Sequence, residues 1–111
     1  MNTVVNSHAI SIAPSGYINA ANATEFQEEL TTAVGKQGIS TIVVDMAEVE
    51  FIDSAGLMAL VTALRLAKSL RRQLFLRSVG ASIRIVLELS QLDRAFEILD
   101  SPEARETSVR Y

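Results

Sequence analysis

The stretch EFIDSAGLMALVTAL, residues 50–64, sets one carboxylate and one hydroxyl, Asp53 and Ser54, among apolar residues where a helical pattern begins. A serine hydroxyl becomes a hydrolytic nucleophile only when a positioned base takes its proton. His8 is the only histidine, and no Gly-x-Ser-x-Gly turn is present. His8 therefore reads as a strand-surface residue, and nothing in the sequence orients Lys36 or Lys68 toward Ser54. Asp45, Glu48, Glu50 and Asp53 gather four acids in nine residues, but their spacing fits neither a calcium loop nor a di-metal motif. A solvated loop explains them, and no metal or other cofactor is expected. Asp and Ser are both good N-cap residues, so the simplest role for the pair is to start a helix. Gly56 works against that simplicity. In a first turn it costs about 1 kcal/mol relative to Ala, which points to close approach by another backbone or a partner.

The elements that must hold this junction are legible from apolar spacing. Val4 and Val5, then Ala9, Ile10 and Ile12, form two β-prone runs separated by Asn6 and Ser7, a hairpin that breaks at Pro14, Ser15 and Gly16. NATEFQEEL opens a first helix, with Asn22 as cap, Glu25 in the capping-box position, and Glu25, Glu28 and Glu29 favouring the positive end of its dipole. Phe26, Leu30, Ala33 and Val34 line one of its faces, and it ends around Gly35 to Gly38. STIVVDM, residues 40–46, and QLFLRSV, residues 73–79, have the β-branched, apolar character of central strands buried on both sheet faces. Between them the chain crosses through AEVEFID into a second helix, SAGLMALVTALRLAKSLRR, residues 54–72. Leu57, Leu60, Val61 and Leu64 form its core stripe, while Met58, Ala59, Ala63 and Leu66 carry apolar character onto adjoining faces. Such a helix is either well buried or keeps a sticky first two turns for docking, with Met58 as an adaptable contact. Arg65, Lys68, Arg71 and Arg72 make a basic C-terminal end that complements the helix dipole. Residues 81–92 form a third helix, AFEIL a short strand or helical turn, and 101–111 a polar tail.

Strands alternating with helices over short connections predict an α/β fold. Its sheet is mixed, an N-terminal antiparallel hairpin joined to parallel central strands, with helices packed mainly on one face. At 111 residues, 1–111 make one domain whose core, in a chain 49% hydrophobic and 5% aromatic, is built from Leu, Ile, Val and Ala. A formal net charge of -3 argues against direct nucleic-acid binding, which needs clustered positive charge. With no cysteine there is no disulfide, thiol nucleophile or thiolate zinc site, and a cytoplasmic location is expected. No apolar run approaches the ~20 residues of a membrane span, and MNTVVNSHA lacks a basic start followed by an apolar block.

FIDSAGL preceded by VVDMAEVE resembles the signature of the anti-sigma factor antagonist, or STAS, family, in which a strand and loop lead into Asp-Ser-(Ser/Thr/Ala)-Gly-Leu at a helix start. SGYIN is similar to the Gly-Glu-Leu-Asp segment closing that family's first hairpin, RQLFLRSV to the strand after the motif helix, and IRIVLELSQLDRAFEI to the closing helix and strand. The likeness runs from about Val4 to Leu99. It implies a STAS-like fold and a non-enzymatic, partner-switching regulator. Ser54 would be phosphorylated by a partner kinase that is itself an anti-sigma factor or a relative, and reset by a serine phosphatase. Asn19, Asp53, Ala55, Gly56 and Met58 would then form the partner surface. The same fold would also suit a constitutive scaffold subunit of a larger regulatory or lipid-transport complex, never controlled by phosphorylation. Four positions depart from the family pattern. Asn19 stands for the usual Asp, Tyr17 for an acid two residues earlier, and Met58 and Gln91 each for Gly.

Overall fold

The computed structural model describes residues 2–5 and 8–99; the expected hairpin turn at Asn6 and Ser7 and the polar tail 101–111 lie outside them. Strand β1 (Asn2–Val5) runs antiparallel to β2 (Ala9–Ala13), as the paired runs predict. After β3 (Ser15–Ile18) come α1 (Ala23–Gly35), β4 (Thr41–Asp45), β5 (Glu48–Ile52) and α2 (Ser54–Ser69). β6 (Gln73–Arg77), α3 (Ala81–Leu89), a 3-10 turn (Leu92–Arg94) and β7 (Glu97–Leu99) complete the described chain. The main sheet has the order β1-β2-β4-β6-β7, parallel throughout except for the β1–β2 hairpin. This is the mixed sheet expected from the order of elements.

Each crossover from β2 through β4 and β6 to β7 moves in one direction along the sheet. Right-handed connections of that kind place their helices on a single face. Burial agrees: Ile10, Ile12, Ile42, Val44, Leu74 and Leu76 are nearly sealed, whereas Ser11, Val43, Phe75 and Arg77, which point the other way, are half-buried. On that open face Arg77 pairs with Asp45 at 3.1 Å and donates to Ser11 Oγ at 3.3 Å.

The helix layer is held by α1 against α2. Phe26, Leu30, Ala33 and Val34 are buried on α1, as their spacing predicts, and Leu57, Ala59, Leu60, Ala63, Leu64 and Ala67 are buried on α2. The extra apolar positions on α2 thus go mostly into the core. Among them Met58 alone stays largely in solvent, 56% exposed, while Leu66 is partly covered.

Several local expectations are corrected. SGYI and AEVEFID are not merely a hairpin end and a crossing segment: β3 and β5 pair in parallel as a separate two-stranded sheet. The capping box at α1 does not form. Asn22 occupies the N-cap position, but its Oδ1 accepts from Asn19 N–H at 2.9 Å and its Nδ2 donates to the Tyr17 carbonyl at 2.8 Å, tightening the turn before the helix. Helix α3 stops at Leu89 rather than 92, because Gln91 takes a left-handed conformation at φ 63° and a 3-10 turn follows. AFEIL resolves into the strand β7.

Candidate functional site

The small sheet exists to deliver the junction. Ile18 and Ile52, cross-strand partners at the ends of β3 and β5, turn inward and are buried. Helix α2 starts directly over them. A Cβ on Gly56 would sit 2.5 Å from Ile52 Cγ1 and 2.8 Å from Ile18 Cγ2, distances no packed carbon tolerates. The close approach that Gly56 permits is therefore to its own chain, and the backbone of α2 lies almost on the small sheet.

A β-bulge sets what the outer side of that sheet presents. The register slips between Gly16 and Tyr17, so that Gly16 opposes Val49 but Tyr17 opposes Phe51. Gly16 itself has φ 76°, a conformation suited to glycine. The residue gained in β5 breaks the in-out alternation: Val49 and Ile52 are buried, while Glu50 and Phe51 both face out. Bulges re-aim side chains in this way next to working surfaces. Tyr17 and Phe51, 59% and 43% exposed, stand with ring centroids 6.4 Å apart.

Asp53 ties the junction together. It is the N-cap of α2, with Oδ1 accepting from Gly56 N–H at 3.1 Å. Its Oδ2 accepts from Ala20 N–H at 3.2 Å, and its own N–H donates to the Ile18 carbonyl at 3.0 Å. One carboxylate thus clamps the helix start to the β3–α1 loop. Within that loop Asn19 Oδ1 accepts from Ala21 N–H at 2.9 Å, a local turn that an aspartate could make equally well. Asn19 makes this turn without adding a charge beside Asp53.

With the cap supplied by Asp53, Ser54 is left over. It is the first residue of α2 and exposed, and its hydroxyl has no hydrogen-bond partner among the described residues. It sits at a helix N-terminus, where free backbone N–H groups and the dipole favour an anion. Met58 follows one turn later on the same side, and Ala55 is half-buried beside it. The structure thus brings Asn19, Asp53, Ser54, Ala55, Gly56 and Met58 into one neighbourhood. The sequence reading missed Phe51 and noted Tyr17 only as a departure.

Other candidates are scattered. His8 is exposed ahead of β2, and its carbonyl accepts from Ser40 N–H at 2.9 Å. Lys68 lies fourteen residues along α2 from Ser54, roughly 21 Å away on the helix axis. The four acids are dispersed: Asp45 pairs with Arg77, Asp53 caps α2, and Glu48 and Glu50 lie on exposed positions of β5. No group of three or more His, Asp or Glu among the described residues is placed to hold a metal ion. No described helix is long and apolar enough to cross a membrane.

The family model of the STAS domain matches residues 1–104. The chain belongs to the STAS domain family. BtrV of Bordetella bronchiseptica, which bears the name of an anti-sigma factor antagonist, is 30% identical over 89 residues, covering 80% of this chain and 76% of BtrV. A Thermotoga maritima crystal structure described in the same terms superposes with a TM-score of 0.84 at 25% identity, over 99% of this chain and 94% of the other. The anti-sigma factor antagonist SpoIIAA in its unphosphorylated form superposes at 0.72 with 17% identity, over 98% of this chain and 96% of its own. Its phosphorylated form, from Bacillus, does so at 0.73 with 17% identity, over 99% and 98%. These last two show a shared fold. As a STAS domain, the chain presents its Asp-Ser-Ala-Gly-Leu junction on an exposed helix start, cradled by the two-stranded sheet.

Proposed function

We propose that this STAS domain is an anti-sigma factor antagonist of the partner-switching kind, acting by binding rather than turnover. Unmodified, it binds an anti-sigma factor that is also a serine kinase; phosphorylated on Ser54, it is released, and a serine phosphatase restores it. The observation that carries this reading is the division of labour at the start of α2: Asp53 caps the helix, and Ser54 is left exposed with an unspent hydroxyl. The similarity to BtrV supports the same reading, and the solved phosphorylated form of SpoIIAA shows that its version of the fold accommodates a phosphate.

The energetics favour a switch at an interface over a switch of fold. A phosphate adds about -1.5 to -2 charges, and a helix N-terminus stabilises an anion by roughly 0.3–1 kcal/mol. Asp53 opposes it: a unit charge pair at about 6 Å costs roughly 0.7–2.8 kcal/mol for effective dielectrics of 80 to 20. For a phosphate of that charge the repulsion rises to roughly 1–5.5 kcal/mol and exceeds the dipole's contribution, but at the solvent-screened, exposed Ser54 it falls toward the low end, within what a domain of this size tolerates, so the domain keeps its shape. At a buried interface a neutral hydroxyl is tolerated, whereas a dianion must shed its water. Weakening a complex a thousandfold takes about 4 kcal/mol, within that penalty.

Asp53 orients the junction, Asn19 and Ala55 flank the hydroxyl, Gly56 brings the helix start down onto the small sheet, and Met58 supplies an adaptable contact. Tyr17 and Phe51 extend that contact as the aromatic anchors characteristic of interface centres. Asn19, lacking the family's carboxylate, lowers repulsion of the phosphate and alters what a kinase can recognise.

Intact-mass spectrometry of protein purified from its source tests the modification. A species heavier by about 80 Da that Ser54→Ala abolishes is expected. Affinity capture with wild type, Ser54→Ala and Ser54→Asp then tests the switch: the kinase-type partner should be retained by the first two and lost with the third. Equal retention by all three, with no heavier species under any growth condition, would establish a constitutive scaffold subunit instead.

A further inference from the structure

A second surface lies away from the small sheet, between strand β1 and helix α1. It is an open groove of about 440 Å³. Its floor is apolar, made by Val5, Ile10, Ile12 and Ala33. Val5 is 51% exposed there, although its cross-strand neighbour Ile10 is sealed. One wall is the outer stripe of α1, where Glu25, Glu28 and Glu29 follow one another at helical spacing, with Lys36 at the far end. The helix dipole accounts for acid in the first turn, which is Glu25 alone. Glu28 and Glu29 lie beyond its reach, and Glu25 and Glu29 repel as an i, i+4 like-charge pair. The other wall is an edge strand: β1 pairs only with β2 among the described residues, so alternate backbone N–H and C=O groups face outward.

We propose that this groove takes an extended, basic peptide segment of a partner protein, added to the sheet beside β1. A strand laid against a free edge gains main-chain hydrogen bonds, and its alternate side chains drop to one face. Here that face is the one that carries α1, so every second residue of the segment is Lys or Arg, its aliphatic stem lying over the apolar floor at Val5. The charged ends of those side chains meet the three carboxylates of α1, and the intervening residues point to the other face of the sheet. A second copy of the chain is a poorer occupant, because pairing β1 with β1 brings two acidic walls together with no basic stripe on either side of the edge. The surface is separate from the Ser54 junction, so a regulator using both could hold one partner while exchanging another.

The test uses the whole chain and a fluorescein-labelled octapeptide of alternating Val and Lys, with alternating Val and Glu as control. Fluorescence anisotropy at low salt should show the Val-Lys peptide binding at least about tenfold more tightly than the control, with affinity falling as salt rises. The triple substitution Glu25→Gln, Glu28→Gln, Glu29→Gln touches only exposed side chains and should weaken binding about tenfold. Val5→Lys, which puts a cation on the groove floor, should weaken it comparably. Bound peptide should slow amide hydrogen exchange in β1. Three results would overturn the proposal: no binding at about 1 mM peptide, binding unchanged by the Gln triple, or slowed exchange confined to other elements. So would sedimentation of the free protein as a dimer that Val5→Lys dissociates, since the edge would then belong to a second copy. None of these outcomes depends on whether Ser54 is ever phosphorylated.

Discussion

The two ends of helix α2 are built on opposite plans. At the C-terminal end the backbone turn and the side chains of Ser69 and Arg72 are bonded within the molecule. Arg71 N–H donates to the Lys68 carbonyl at 3.1 Å and Arg72 N–H to the Ala67 carbonyl at 2.8 Å, the pair of bonds that closes a Schellman turn. The Arg72 guanidinium crosses to α1 and donates to the carbonyls of Val34 and Lys36, satisfying the last turn of the neighbouring helix. Ser69 Oγ donates to the Leu66 carbonyl at 2.8 Å. At the N-terminal end Asp53 alone does the closing, while Ser54, Met58, Tyr17 and Phe51 are left facing solvent. A basic run and an acid-hydroxyl pair look equally functional in sequence. The lesson is that Arg72, committed to carbonyls of its own chain, holds the fold however functional its charge looks in sequence, whereas the exposed residues at the N-terminal end gather apolar and aromatic surface around one hydroxyl.

The sharpest way to break this comparison is to charge the free end. Ser54→Asp should reduce affinity for a kinase-type partner by about a thousandfold, close to 4 kcal/mol, while thermal unfolding moves by less than about 1 kcal/mol. A large loss of stability instead would mean that Ser54 belongs to the frame. The next largest effect tests the frame itself. Gly56→Val drives its branched carbon into Ile52 and Ile18, and should cost about 3 kcal/mol in denaturant unfolding. Gly56→Ala should cost less, and pairing it with Ile52→Val should recover part of the loss. Strict additivity of that double mutant would contradict the contact.

Much of the frame could be read in advance because it obeys one period at a time. Ile10 and Ile12 and the Phe26, Leu30, Ala33, Val34 stripe are buried as strand and helix spacings demand; the central strand of Ile42 and Val44 was also legible, but its burial on both faces was not met, since Val43 between them is only half-buried on the open face of the sheet. The segment EVEFI resisted because its bulge removes the alternation that identifies a half-buried strand, and Glu48 and Glu50 made it look like a loop. The same bulge turned Phe51 outward, so a missed strand and a missed exposed aromatic have one cause. Asn22 misled for a related reason: its type and spacing suit a cap, but its amide found closer partners in the preceding turn. Asp53 and Ser54 were legible as a pair, yet which of them caps depends on backbone direction at residue 53, where ψ of -174° aims the aspartate at Gly56 N–H.

The committed end offers a smaller test. Arg72→Met keeps most of the aliphatic stem and removes the guanidinium, leaving the Val34 and Lys36 carbonyls without their donor. For a half-exposed site of this kind, about 1–2 kcal/mol of stability should be lost, with binding at the Ser54 surface unchanged. If binding falls in step with stability, the two ends are coupled and the division between them is too simple.

The smallest expected effect comes from the residue beside it. Arg71 has φ 59°, a left-handed conformation that an L side chain enters at a cost and that glycine enters freely. Arg71→Gly therefore relieves strain in the folded state, but it also loosens the unfolded chain, which takes back part of the gain. A net stabilisation of about 0.5–1 kcal/mol is expected, a rise of a few degrees in Tm. Gln91, at φ 63° after α3, should respond to Gly in the same direction, which makes the pair a control for each other. If Gln91→Gly stabilises and Arg71→Gly does not, the Arg71 side chain is contributing something that its exposed position conceals, and the C-terminal end of α2 is less fully spent on the fold than its hydrogen bonds imply.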